Sequence, residues 1–234
     1  IKKNFEMRSV PEIIKNLIII NLIFFIGTLV IGNFAYDILA LHYPKNPSFG
    51  YWQLLTHMFM HGGIYHILFN MFGLWMFGSP LVQMWGRNKF LFYYISCGIG
   101  AALLQLLFYY FQIHAVVDNL LSQGYLLDEI YNNVLPNKGT YFDSKLVGAS
   151  GALYGILVAF AFLFPNSELM LIFLPVPIKA KFFVPIILIL DLFLGFSSYS
   201  IGPIAHFAHV GGAITGFVML WYWKRNQFNN KRWN

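Results

Sequence analysis

Ser150 stands in the run Gly148-Ala149-Ser150-Gly151-Ala152-Leu153-Tyr154-Gly155, near the start of an apolar stretch. The first turn of a helix leaves backbone N–H groups unpaired and carries the positive end of the dipole, which favours an oxyanion formed beside it. A serine so placed is a candidate nucleophile. It needs a base, and imidazole is the usual one. Gly148, Gly151, Ala152 and Gly155 form a stripe of small residues, and His209, Gly212, Ala213 and Gly216 repeat the same spacing further on. Two such stripes let helix backbones approach closely, which would set His209 beside Ser150. Tyr154, four residues after Ser150, shares its helix face. His66 and Asn70 also stand four apart and line one face of another helix. Each residue has a plainer reading, as packing glue or an interhelical hydrogen-bond pair. Taken together they supply a nucleophile, a base and oxyanion donors, the parts needed for acyl transfer.

The elements that must position these residues follow from composition. The 234 residues are 58% hydrophobic, 19% aromatic and 10% charged, against about 25% charged in soluble domains. So few charges cannot cover a soluble domain, and the missing polar surface implies a lipid solvent. A spanning helix needs about 20 apolar residues, and six stretches qualify, at approximately 16–36, 64–85, 90–113, 146–164, 182–199 and 204–223. The first is too long for the apolar core of a signal peptide and is read as a retained span. With a cytoplasmic N-terminus, Lys2, Lys3, Arg8, Lys15, Arg87, Lys89, Lys179, Lys181, Lys224, Arg225, Lys231 and Arg232 lie inside and Lys45, Lys138 and Lys145 outside. That asymmetry is the positive-inside pattern and accounts for the basic balance without a nucleic-acid partner. Trp85, Trp221 and Trp223 suit the interfacial belt. In this topology Ser150, His66, Asn70 and His209 share one depth near the outward face.

Two outer loops result, 37–63 and 114–145. The first, rich in aromatics and Met, is expected to lie partly in the membrane interface. The second is expected to hold a short amphipathic helix around 120–134. The proline-bearing inner connection 165–181 is expected to be extended. No internal repeat is visible. His57 and His61 share a helical spacing, but no carboxylate ligand accompanies them and no metal is expected. Cys97 is read as a small buried apolar residue. Asp191, in the fifth span, is read as a packing residue, and the Ser150–His209 pair as a dyad oriented by packing and Tyr154 without a carboxylate.

The Gly-Ala-Ser-Gly of 148–151, the His66-xxx-Asn70 pair and the Ala208-His209-xx-Gly212-xxx-Gly216 run resemble the rhomboid family of intramembrane serine proteases. The motifs fall in family order on spans two, four and six, so the resemblance covers about 16–223. It implies an all-α membrane protein, a six-transmembrane-helix rhomboid-like bundle forming one domain over 1–234. It implies Ser150 as nucleophile, His209 as general base, and an oxyanion hole from His66, Asn70 and the Ser150 backbone. Tyr154, Gly148, Gly151, Gly212 and Gly216 match supporting positions. His206, one turn earlier, lacks the glycines that follow His209 and is given a supporting role. Trp52-Gln53 and Gln83 stand where the family often carries Trp-Arg and a glutamate, which bears on loop stability. The implied activity is cleavage of single-span membrane proteins near the outward face of a bacterial inner membrane, with no cofactor, metal or nucleic acid and no specified oligomeric state. The alternative is a non-catalytic rhomboid-like protein that binds and escorts membrane helices.

Overall fold

The computed structural model describes residues 10–137, 141–171, 174–196 and 205–226. Lys2, Lys3, Arg8, Lys138, Lys231 and Arg232, together with the ends 197–199 and 204 of the expected fifth and sixth spans, lie outside the described residues. The described chain is almost wholly helical: α1 Glu12–Ile31, α2 Asn33–Leu39, α3 Gln53–Thr56, α4 Ile64–Gly73, α5 Ser79–Trp85, α6 Arg87–Ser122, α7 Leu127–Glu129, α8 Ser150–Leu163, α9 Ala180–Phe196 and α10 His206–Arg225. It is a multi-pass membrane bundle. Its outer surface carries large apolar side chains such as Ile23, Val30, Ile189 and Phe193, as lipid contact requires.

Among the described residues, three helices are long and apolar enough to cross a bilayer by length and composition: Glu12–Ile31, the continuous Ile64–Trp85 and Arg87–Ser122. Of the remaining expected spans, α10 matches the sixth closely, while the fourth is shorter than expected. The 14 residues of α8 give it a length of about 21 Å, short of the roughly 30 Å hydrocarbon core. The chain reaches Ser150, the first residue of α8, in non-helical form. Gly32, with φ of +71°, ends α1 early and turns the chain into α2. Between α4 and α5 lies a π-helical turn at Leu74–Gly78. Pro80 in the first turn of α5 supplies no N–H to the preceding ladder and accounts for the widened turn.

The third span does not end near 113. At 36 residues, α6 is about 54 Å long and carries His114 and Asp118 on its extension. A second, smaller core forms on that extension, where Tyr109, Ile113, Val117 and Leu120 meet Tyr43, Ile130, Leu135 and Phe142. The amphipathic helix expected at 120–134 is instead two pieces. The end of α6 stops at Gln123, Gly124 turns the chain with φ of +91°, and α7 continues through π and 3-10 turns to Asn137. The inner connection is extended as expected, but paired: β1 Glu168–Leu171 and β2 Leu174–Lys179 form an antiparallel hairpin, with Glu168 opposite Lys179.

In the first outer loop Met58 and Met60 are fully buried in the protein while Tyr51 and Trp52 are exposed. Gln53, completely buried, organises this loop. Its amide donates to the carbonyls of Ser48 at 2.7 Å and of Asp37 and Ile38 at 3.2 Å, and accepts from His42 N–H at 3.2 Å. A neutral side chain therefore organises the loop at the position where the sequence departs from Trp-Arg.

The centre of the bundle is the meeting of α6, α8 and α10. A Cβ on Gly151 would strike Ala101 of α6, one on Gly155 would strike Cys97, and one on Gly216 would strike the Tyr93 hydroxyl. Tyr93 Oη donates to Gly155 O at 2.7 Å. At the end of the bundle opposite Ser150, Lys89 lies over the Trp223 ring at 4.5 Å and Lys224 over Phe162 at 5.0 Å, cation–π contacts suited to a membrane interface.

Candidate active site

The chain enters α8 through a segment pinned at both sides. Leu41 and Leu146 exchange backbone hydrogen bonds of 3.0 and 2.9 Å, and Gly148 N–H donates to His57 O at 2.9 Å. Gly148 has φ of +123°, a conformation open to glycine, and a Cβ there would meet His66 Nε2 at 2.8 Å. The first outer loop thus fixes how Ser150 is presented. As the first residue of α8, Ser150 has a backbone N–H with no intrahelical acceptor.

On α10, the expected proximity is realised. His209 Nε2 lies 2.8 Å from Ser150 Oγ, and the Tyr154 ring stacks on the His209 ring at 4.2 Å and 8°. The small-residue stripes are what allow this. Gly212 sits so close to the Gly151 carbonyl that no Cβ fits between them. The start of α10 is further held by Gln105 of α6, whose Oε1 accepts from Ala208 N–H at 3.0 Å, a donor shared with Ala205 O at 3.0 Å, where the N-cap residue itself offers no side-chain cap.

On α4, His66 Nδ1 accepts from Gly62 N–H at 3.3 Å. Its proton is therefore on Nε2, the atom that lies over Gly148 and near Ser150. Asn70 Nδ2 donates to His66 O at 2.7 Å, which leaves one further N–H. His66, Asn70, Ser150, His206 and His209 all line one open cavity of about 920 Å³. Phe108 and Tyr109 of α6, with Tyr141, also line it.

Two expectations need correction. The Ser150–His209 pair does not lack a carboxylate neighbour, and Asp191 is not a mere packing residue. Asp191 Oδ1 lies 3.2 Å from His209 Nδ1 and 2.6 Å from His206 Nδ1, and Tyr154 interacts with the same carboxylate. Sequence reasoning missed this because the partners are 15 and 18 residues apart on different helices. The available signal was the rarity of a carboxylate in a span. These three residues also form a group of potential metal ligands with atoms within 4.8 Å. Their Asp–His separations are hydrogen-bond lengths, and we read them so.

His57 and His61 do not join such a group among the described residues. His57 Nδ1 bonds to Gln53 O at 2.7 Å, and the His61 ring packs edge-on against His66 at 5.0 Å. Burial lowers both loop histidines to about 4, with His66 adding to the effect at His61.

A family model described as "Rhomboid domain" matches residues 48–226. Rhomboid protein 1, mitochondrial, of Saccharomyces cerevisiae is 28% identical over 170 residues, covering 73% of this chain and 41% of that protein. Rhomboid protease GluP of Bacillus subtilis is 26% identical over 167 residues, covering 71% of this chain and 25% of that protein. Presenilin-associated rhomboid-like protein, mitochondrial, of Homo sapiens is 28% identical over 190 residues, covering 77% of this chain and 41% of that protein. The matched region thus spans a quarter to about two fifths of these relatives.

Proposed function

This chain belongs to the rhomboid family, and on that premise we propose that it is an intramembrane serine endopeptidase acting on single-span membrane proteins. The observation that carries this reading is the 2.8 Å approach of His209 Nε2 to Ser150 Oγ. With its lone pair on Nε2, His209 accepts the serine proton as Oγ attacks the scissile carbonyl. The developing oxyanion is held by Ser150 N–H, His66 Nε2–H and the free N–H of Asn70. His209 then gives its proton to the leaving amine, and water from the cavity cleaves the acyl-enzyme with the same residue as base.

A helical substrate must unwind locally before attack, because its carbonyls are bonded within the helix and held away from Ser150. Gly or Pro in the target segment favours this. The substrate approaches from the lipid beside α9, whose exposed face carries Phe182, Ile186, Ile189 and Phe193 and whose second turn contains Pro185. The positive-inside asymmetry supports cytoplasmic termini and a cavity opening outward, which we assign to a bacterial plasma membrane. Protease accessibility of the 114–145 loop in spheroplasts tests that side.

Ser150→Ala and His209→Ala are each expected to abolish cleavage of a membrane-tethered single-span reporter. Fluorophosphonate labelling provides the complementary readout. Modification that depends on both residues supports the protease, and an inert Ser150 favours a protein that binds membrane helices without cutting them.

A further inference from the structure

Asp191 is the one acidic residue of α9, and it is 6% exposed in a helix whose other faces are largely apolar. A buried carboxylate in a membrane bundle is costly unless its oxygens are satisfied. Here they are satisfied by the elements that build the site. His209 Nδ1 and His206 Nδ1 come from α10, and the Tyr154 side chain comes from α8. Close contact of α9 with α10 makes this reach possible, since Gly195 lies against His206 and Phe207 with little room for a side chain.

We propose that Asp191 is a positioning residue for the base: by accepting from His209 Nδ1–H it holds His209 in the tautomer whose Nε2 lone pair faces Ser150, and its charge offsets the imidazolium formed during attack. This rests on the protease reading above. Neutral imidazole carries its proton on either nitrogen, and only the Nδ1–H form accepts from serine. Without an acceptor at Nδ1, the Nε2–H form donates to Ser150 Oγ and the site loses its base. The carboxylate stays ionised throughout, and the transferred proton stays on His209 until it passes to the leaving amine. His206 keeps the carboxylate in place. Its Nδ1–H makes the shorter of the two bonds, while its Nε2 is buried without a partner among the described residues.

Because Asp191 is shared and its bond to His209 is the longer one, its removal should cost less than in an undivided triad. For Asp191→Asn in the full chain, with a fluorogenic single-span reporter in proteoliposomes, we expect kcat to fall at least tenfold and KM to stay within twofold. A kcat within twofold of wild type, or a loss of kcat/KM carried by KM alone, overturns the proposal.

A second measurement uses the unsubstituted protein. Nitrogen NMR of the histidine-labelled chain, with the His209 signals assigned by their loss in His209→Ala, should show neutral His209 protonated at Nδ1. An Nε2–H form overturns the proposal whether or not Asp191→Asn folds. A wild-type chain that cuts no reporter defeats the protease reading, and the tautomer still decides the role of Asp191.

Discussion

Gly212 of α10 rests against the carbonyl of Gly151 of α8, one residue beyond Ser150, with no space for a methyl group between them. The obstacle is backbone, which cannot rotate aside as a side chain can. The separation of the two helices, and with it the reach of His209 to Ser150, is therefore set by the absence of a side chain at Gly212.

Gly212→Ala is accordingly expected to push the helices apart. A displacement of about 1 Å in a catalytic pair costs on the order of 100-fold in rate, and overpacking of a tight core costs about 1–3 kcal/mol in stability. Kinetics with the tethered reporter, alongside thermal unfolding in detergent, measure both. Wild-type kcat in this variant would show that the glycine contact does not set the site geometry.

Tyr154 stacks on His209 at 4.2 Å and also meets Asp191. Stacking of this kind contributes about 0.5–1.5 kcal/mol. Tyr154→Ala should lower kcat by about tenfold, and Tyr154→Phe, which keeps the stack, by less. Equal losses in the two variants would mean that the hydroxyl matters more than the ring.

Gln53 makes four hydrogen bonds that tie the first outer loop together while its side chain is fully buried. Gln53→Leu leaves at least one buried backbone group unpaired, at about 1–3 kcal/mol each. The expected result is a lower unfolding temperature together with reduced activity, since the same loop holds Gly148 through His57 O. An unchanged melting curve would count against the role of Gln53 in holding the loop.

His57 and His61 give the loop a pH dependence. Both stay neutral in the fold down to about 4, whereas an unfolded histidine titrates near 6.5. Between these values the unfolded chain binds more protons. Stability from these residues is thus complete above about pH 6.5 and is lost as pH falls toward 4, by about 2 kcal/mol each at pH 5. Thermal unfolding at pH 7.5 and pH 5 should show the drop, and His61→Phe should lessen it. The same slope in that variant would rule His61 out as a source.

The sequence by itself determined the solvent and the candidate chemistry. A chain with 10% charge has to be covered by lipid. In such a chain each polar residue within an apolar stretch stands out because it is costly there. Ser150, His209, His66 and Asn70 were legible for that reason, and the matching glycine stripes announced which helices would touch. Those are signals of composition and of 3.6-residue periodicity, and both are local. The tertiary structure alone decided that α6 continues past residue 113 by bearing a second core, that the link after α8 pairs with itself as a hairpin, and that Met58 and Met60 turn inward. It also decided the place of Asp191. Nothing in the spacing of Asp191, His206 and His209 ties them to one another, because their contact depends on how closely α9 and α10 approach. That distance is set by packing at Gly195, between segments remote in the chain.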